Sequence, residues 1–147
     1  MFTMLEPFRQ SFVRLGIETT VQIDANRERF FSTVTGKMYE KEHTAIIAYE
    51  ENNEAGQVNN VVKISGNRAA MIRRGAVATR QSFIVGVETD SVYQTPYGAL
   101  RATTVTKDLY FHWDQTRKSG VFVVRYDLRL QGNPPGSYTL KMVMEGE

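Results

Sequence analysis

The chain has no cysteine and only two histidines among its 147 residues. The first absence removes disulfide staples, thiolate metal sites and a cysteine nucleophile, and the second leaves little for imidazole catalysis. Charge of one sign is scarce as well. The 18 Lys and Arg against 16 Asp and Glu leave +2, which excludes a strongly basic nucleic-acid arm and an acidic solvating tail. No uncharged apolar run approaches the ~18 residues that a membrane-spanning helix needs. Near the N-terminus Glu6, Pro7 and Arg9 interrupt Phe2, Met4, Leu5 and Phe8 before a signal peptide's apolar stretch of about 7–15 residues can form. The expectation is a soluble cytoplasmic protein with no membrane partner. Glycines stand singly at turns rather than grouped before a helix, so a phosphate-cradling loop is not expected.

What the chain has instead is alternation. Phe122, Val124, Tyr126, Leu128 and Leu130 share one parity, with Val121, Val123, Arg125, Asp127 and Arg129 on the other. That is the signature of a strand with one face in a core. The same pattern places Tyr138, Leu140, Met142 and Met144 together, and between the two lies Gly132-Asn133-Pro134-Pro135-Gly136, a hairpin loop by its prolines and glycines. Leu109, Phe111 and Trp113 alternate with Tyr110 and His112. Thr95-Pro96-Tyr97-Gly98 reads as a type I turn between strands at 91–95 and 99–106. Further strands are expected at 12–23, 29–40, 44–50, 60–65, 68–73 and 76–85, with 51–57 as a longer polar loop and Gly86 and Asp90 bracketing a turn.

About nine or ten short-linked strands with no crossover helix predict an all-β fold, an antiparallel meander in a single domain over residues 11–147. Residues 1–10 read as an N-terminal extension expected to fray, or to plug one mouth with Phe2, Leu5 and Phe8 if it orders. A two-sheet sandwich uses the same strands as a barrel. Closure is favoured because it leaves no unpaired edges and gives every alternating strand an inside and an outside.

A series of segments also carries a family likeness: Thr35-Gly36-Lys37-Met38-Tyr39-Glu40-Lys41, Tyr49-Glu50-Glu51, Ile72-Arg73-Arg74-Gly75, Phe83, Tyr93-Gln94-Thr95-Pro96-Tyr97-Gly98, Thr106-Lys107-Asp108-Leu109 and Tyr126-Asp127-Leu128. In this order they resemble the YwiB-like family of small bacterial proteins, over roughly residues 11–145. The resemblance implies a calycin-type, lipocalin-like β-barrel of about 8–10 strands. It implies cytoplasmic proteins of Gram-positive bacteria and brings no activity with it.

Catalytic constellations are thin. His112 lies on the face opposite Phe111 and Trp113, and His43 sits in a polar turn. His112 and Asp114 share a face but lack a third metal ligand, so no metal and no cofactor is expected. Glu50 and Glu51 are adjacent and point to opposite sides, which rules out a paired acid and base. Arg101, Arg125, Arg129 and Lys141 read as a mixed-sign exterior interleaved with Asp127 and Glu145, so nucleic acid is not an expected partner. Arg125 and Tyr126 are neighbours in sequence, so the inward Arg and Tyr two apart of fatty-acid carrier barrels is absent.

The interior is where parity puts polar groups among apolar ones. Arg73 shares a face with Ala69 and Met71, Gln81 and Thr79 share one with Phe83, and Tyr93 shares one with Thr95. A desolvated guanidinium requires an acid, an acceptor network, water or an anionic ligand, and Glu50 and Glu51 are the candidate acids. The expected function is therefore a non-enzymatic small-molecule-binding barrel, with an anionic ligand at a mouth lined by Arg73, Gln81, Tyr93, Thr95, Tyr97 and Tyr126. The alternative is a structural or protein-interaction module with a filled core and a protein partner, itself as a homodimer included. An enzyme using Tyr and Arg without His or Cys is the third class.

Overall fold

The computed structural model describes residues 8–147, and among them it contains ten strands and no helix. These are β1 (Arg9–Ile23), β2 (Asn26–Lys41), β3 (Thr44–Asn53), β4 (Gly56–Ser65), β5 (Arg68–Gly75), β6 (Thr79–Ile84), β7 (Glu88–Thr95), β8 (Gly98–Asp114), β9 (Ser119–Leu130) and β10 (Gly136–Gly146). They form one sheet in the order β6-β5-β4-β3-β2-β1-β10-β9-β8-β7, with every neighbouring pair antiparallel.

The sheet curls into a nearly closed barrel with an unusual seam. The first and last strands join by a full ladder, from Val13↔Gly146 to Gln22↔Ser137. The sheet's two ends are instead β6 and β7, consecutive in the chain. Just before β6, Ala78 bridges Gln94 of β7, their amides exchanging bonds of 2.9 and 2.7 Å, and just beyond β6 Val85 bridges Thr106 of β8. Between these points the Thr89 hydroxyl donates to the Ser82 carbonyl at 2.7 Å, a side-chain substitute for a ladder bond. The closed arrangement replaces the sandwich.

Parity fills the barrel as alternation requires. Val13, Leu15 and Ile17 of β1, Phe122, Val124, Tyr126 and Leu128 of β9, and Leu140, Met142 and Met144 of β10 are buried in one continuous cluster with Met38, Ile47, Val62, Met71 and Phe83. Each large apolar side chain fully removed from water contributes about 1.5–3 kcal/mol.

Four local features differ from the sequence-based expectation. Residues 51–57 are not a loop: β3 and β4 continue to a tight turn in which Asn53 Oδ1 accepts from the Ala55 amide at 2.9 Å. Residues 99–106 and 109–113 are one strand, β8, whose register shifts between Thr106 and Asp108. That bulge changes which parity faces inward, from Ala102, Thr104 and Thr106 to Leu109, Phe111 and Trp113. Residues 76–78 precede β6, because Gly75 turns the chain at φ +126 where an added Cβ would lie 2.3 Å from the Gln57 carbonyl oxygen. The segment expected as a turn between Gly86 and Asp90 is shorter, since β7 begins at Glu88.

At the N-terminus, Arg9 and Gln10 belong to β1 and pair with Glu40 and Tyr39. The plug expected of Phe2 and Leu5 lies outside the described residues, and Phe8 is exposed with Lys41 Nζ 5.9 Å from its ring centre.

Candidate functional site

The inward faces of β3–β6 form cross-strand rows that change in character along the barrel. Ala45, Ile64, Ala69 and Phe83 make one row, and Ile47, Val62, Met71 and Gln81 the next. The third is Tyr49, Asn60, Arg73 and Thr79. Polarity thus rises toward the mouth formed by the β3–β4, β5–β6 and β7–β8 turns. The remaining strands complete a polar belt with Tyr93, Thr104, Thr106, Tyr126 and Tyr138.

One side of this belt is satisfied by its own members. Tyr93 Oη donates to Gln81 Oε1 at 3.1 Å, and Gln81 Nε2 donates to Thr104 Oγ1 at 2.9 Å. The chain runs from β7 through β6 to β8 behind the seam. Gln81 and Tyr93 therefore join strands that the backbone ladder leaves only bridged.

The other side is not satisfied. Arg73 is half-buried, and among the described residues its guanidinium donates only to the Met71 sulfur, at 3.8 Å. Glu50 and Glu51, the acids expected to pair with it, do not: Glu50 is exposed on the opposite face, and Glu51 Oε1 accepts from Asn60 Nδ2 at 3.1 Å. Among the described residues no carboxylate forms an ion pair with Arg73. Its two cross-strand neighbours are Asn60 and Thr79, and Asn60 Oδ1 and Thr79 Oγ1 are both buried without a hydrogen-bond partner, as is Thr106 Oγ1. Asn60 is only 1% exposed. Native interiors leave few such atoms, and each one costs about 1–3 kcal/mol when nothing meets it.

Tyrosines surround the cation. Burial lifts the Tyr49, Tyr93 and Tyr126 phenols above the ordinary range, and Arg73 is near enough to oppose the rise in all three. Tyr126 stacks on Tyr138 at 5.3 Å between ring centres and tilts against Phe83 at 4.8 Å. Among the described residues neither the Tyr49 nor the Tyr126 hydroxyl has a protein partner, whereas Tyr93 has Gln81.

Of the six residues expected at the mouth, Arg73, Gln81, Tyr93 and Tyr126 come together in this belt. Thr95 and Tyr97 do not. Thr95 Oγ1 donates to the Gly98 carbonyl at 2.9 Å and accepts from the Tyr97 amide at 3.1 Å, which ties it into its own turn. Tyr97 stands at the tip of that turn, 98% exposed. The expected site leaves out Tyr49 and Asn60, although both lie in strands that the alternation predicts, at 44–50 and 60–65. The parity of Ala45 and Ile47 reaches Tyr49 within its strand, and Glu51 one step beyond it.

At the opposite mouth, a recess of about 300 Å³ is lined by Glu40, His43, Ile64, Phe111, His112 and Trp113, among others. Among the described residues no group of three or more His, Asp or Glu side chains is arranged to hold a metal ion.

Comparison with known proteins adds fold and family. The family described as Domain of unknown function (DUF1934) matches residues 15–142. The chain is 26% identical over 134 residues to the uncharacterized β-barrel protein YwiB of Bacillus subtilis (strain 168), covering 91% of this chain and 93% of that one. The crystal structure of ywiB protein from Bacillus subtilis superposes with a TM-score of 0.86 at 25% identity, over 96% of each chain.

Proposed function

The chain belongs to the DUF1934 family of YwiB-like β-barrels of unknown function, and from that premise we propose that its polar mouth binds a small anion, a carboxylate or a phosphate, through Arg73. The observation that carries this proposal is the half-buried guanidinium with no acid beside it, flanked on both neighbouring strands by buried polar atoms without partners. A guanidinium offers five donors in a planar fork suited to two oxygens of one ligand. The Tyr49 and Tyr126 hydroxyls can donate to the same anion. Asn60 Oδ1 can only accept, so an anion carrying a hydroxyl of its own meets more of the site than a bare one.

Binding here takes place at the end of the interior, because the apolar half is occupied by its own side chains. That filled half supports a second function, a structural or protein-interaction barrel in which Arg73 is met by water alone. Thermal melts at constant ionic strength, titrated with sodium phosphate and with sodium benzoate, separate the two. The proposal expects a saturable rise in Tm for at least one salt and none in Arg73→Met. No saturable rise, or the same rise in both proteins, would leave the filled barrel as the better account.

A further inference from the structure

β2 is only half used by the barrel. On the β1 side the hairpin ladder covers Asn26–Glu40, fifteen of its sixteen residues, but on the β3 side pairing covers Gly36–Lys41 and stops. The split occurs at Gly36, where β2 and β3 run so close that an added Cβ would lie 2.6 Å from the Ala48 carbonyl oxygen. Among the described residues, 26–35 therefore present an open strand edge about ten residues long, with every second N–H and C=O unpaired. The edge also carries exposed aromatics: Phe30 is 56% exposed on the inner-facing parity, and Phe31 is 71% exposed on the outer. It lacks proline and any bulge in its pairing with β1, two devices by which sheet proteins blunt such an edge.

We propose that this edge pairs with its own copy in an antiparallel, two-fold homodimer centred on Phe30. The distribution of charge selects that occupant and that direction. Arg27, Glu28 and Arg29 precede the aromatic pair, and Ser32, Thr33, Val34 and Thr35 follow it. Antiparallel pairing about Phe30 sets Arg29 opposite the partner's Phe31, Glu28 opposite the partner's Ser32, and Arg27 opposite the partner's Thr33. No like charges face each other, Phe30 meets its own copy at the axis, and two guanidinium groups lie beside aromatic rings. A parallel, in-register pairing would stack Arg27 on Arg27 and Arg29 on Arg29. A two-fold contact closes on itself, so the assembly ends at a dimer.

Because Phe30 faces itself, a charge placed there is repelled by its own copy and attracted by the opposite charge. Sedimentation velocity on the full chain is expected to show concentration-dependent conversion to twice the chain mass. Phe30→Lys and Phe30→Glu should each sediment as monomers with unchanged far-ultraviolet circular dichroism, which the exposure of this side chain permits. An equimolar mixture of the two should recover the dimer. A wild-type chain that stays monomeric at every concentration overturns the proposal, whether or not another protein binds the edge. So does a dimer that persists in both variants, which would put the interface elsewhere. Loss of the dimer without recovery in the mixture overturns the register centred on Phe30.

Discussion

The two halves of the barrel interior solve the same packing problem with different chemistry. In the apolar half, Leu15, Met38, Ile47, Phe122, Met142 and Met144 fill the space between ten strands and are fully buried. Nothing there asks for a partner. In the polar half, hydroxyl, amide and guanidinium groups project from the same wall, and they divide again: Gln81, Tyr93 and Thr104 satisfy one another, while Arg73, Asn60 and Thr79 do not. An inward polar residue is therefore no sign of a ligand until its bonds have been counted. Gln81 and Tyr93 reinforce the seam between β6 and β7, and Arg73 is left over.

Four experiments bear on this contrast, in descending order of effect. Phe122→Ala should cost about 3–5 kcal/mol by urea denaturation, since it opens a void in the filled half; a loss below about 1 kcal/mol would mean that the region is loosely packed. Gln81→Leu keeps volume but strips both bonds, leaving Thr104 and Tyr93 short of a partner, and should cost about 1–3 kcal/mol. Hydrogen exchange should quicken in β6 and β7 before it does in β1 and β10. Equal protection of the two closures would contradict the side-chain account of the seam.

The third concerns pH. Tyr49 and Tyr126 have phenols raised by burial, so the fold favours their neutral forms. Their contribution is complete below the ordinary phenol range, near pH 10, and is lost as pH rises through the higher folded values. Ultraviolet titration should show late-ionising tyrosines, and Tyr126→Phe should remove one of them. Because that hydroxyl has no protein partner, its removal should shift stability by only about 0.5 kcal/mol or less. The smallest effect is expected of Arg73→Met. It replaces an unpaired, half-buried charge by an apolar chain, and should leave unfolding within about 0.5 kcal/mol of wild type or raise it. Marked destabilisation would mean that Arg73 has a structural partner.

Much of this was legible in the alternation of the sequence. Phe122, Val124, Tyr126 and Leu128 all face the core as their parity demands, and the inward polar set of Arg73, Gln81 and Tyr93 follows from the same rule. What parity cannot give is the register between strands that the chain does not pair by a hairpin. The Tyr93 to Gln81 bond crosses the seam, so its existence could not be read from either strand. The bulge between Thr106 and Asp108 is equally silent, since it has neither glycine nor proline, yet it changes which side of β8 faces in. Thr95 and Tyr97 lie outside the belt, tied into or projecting from their own turn. A type I turn with Pro96 at its second position puts Tyr97 at the third, at the tip, where a side chain projects away from the barrel.

The most direct test of the unsatisfied half is the Arg73 Nε–Hε resonance, followed by NMR as sodium phosphate is added at constant ionic strength. Arg74, exposed on the opposite face of the same strand, serves as the internal control. If Arg73 is an anion site, its resonance moves saturably while that of Arg74 drifts without saturating. If the two move alike, the guanidinium is merely solvated and the polar mouth is no binding site for that anion.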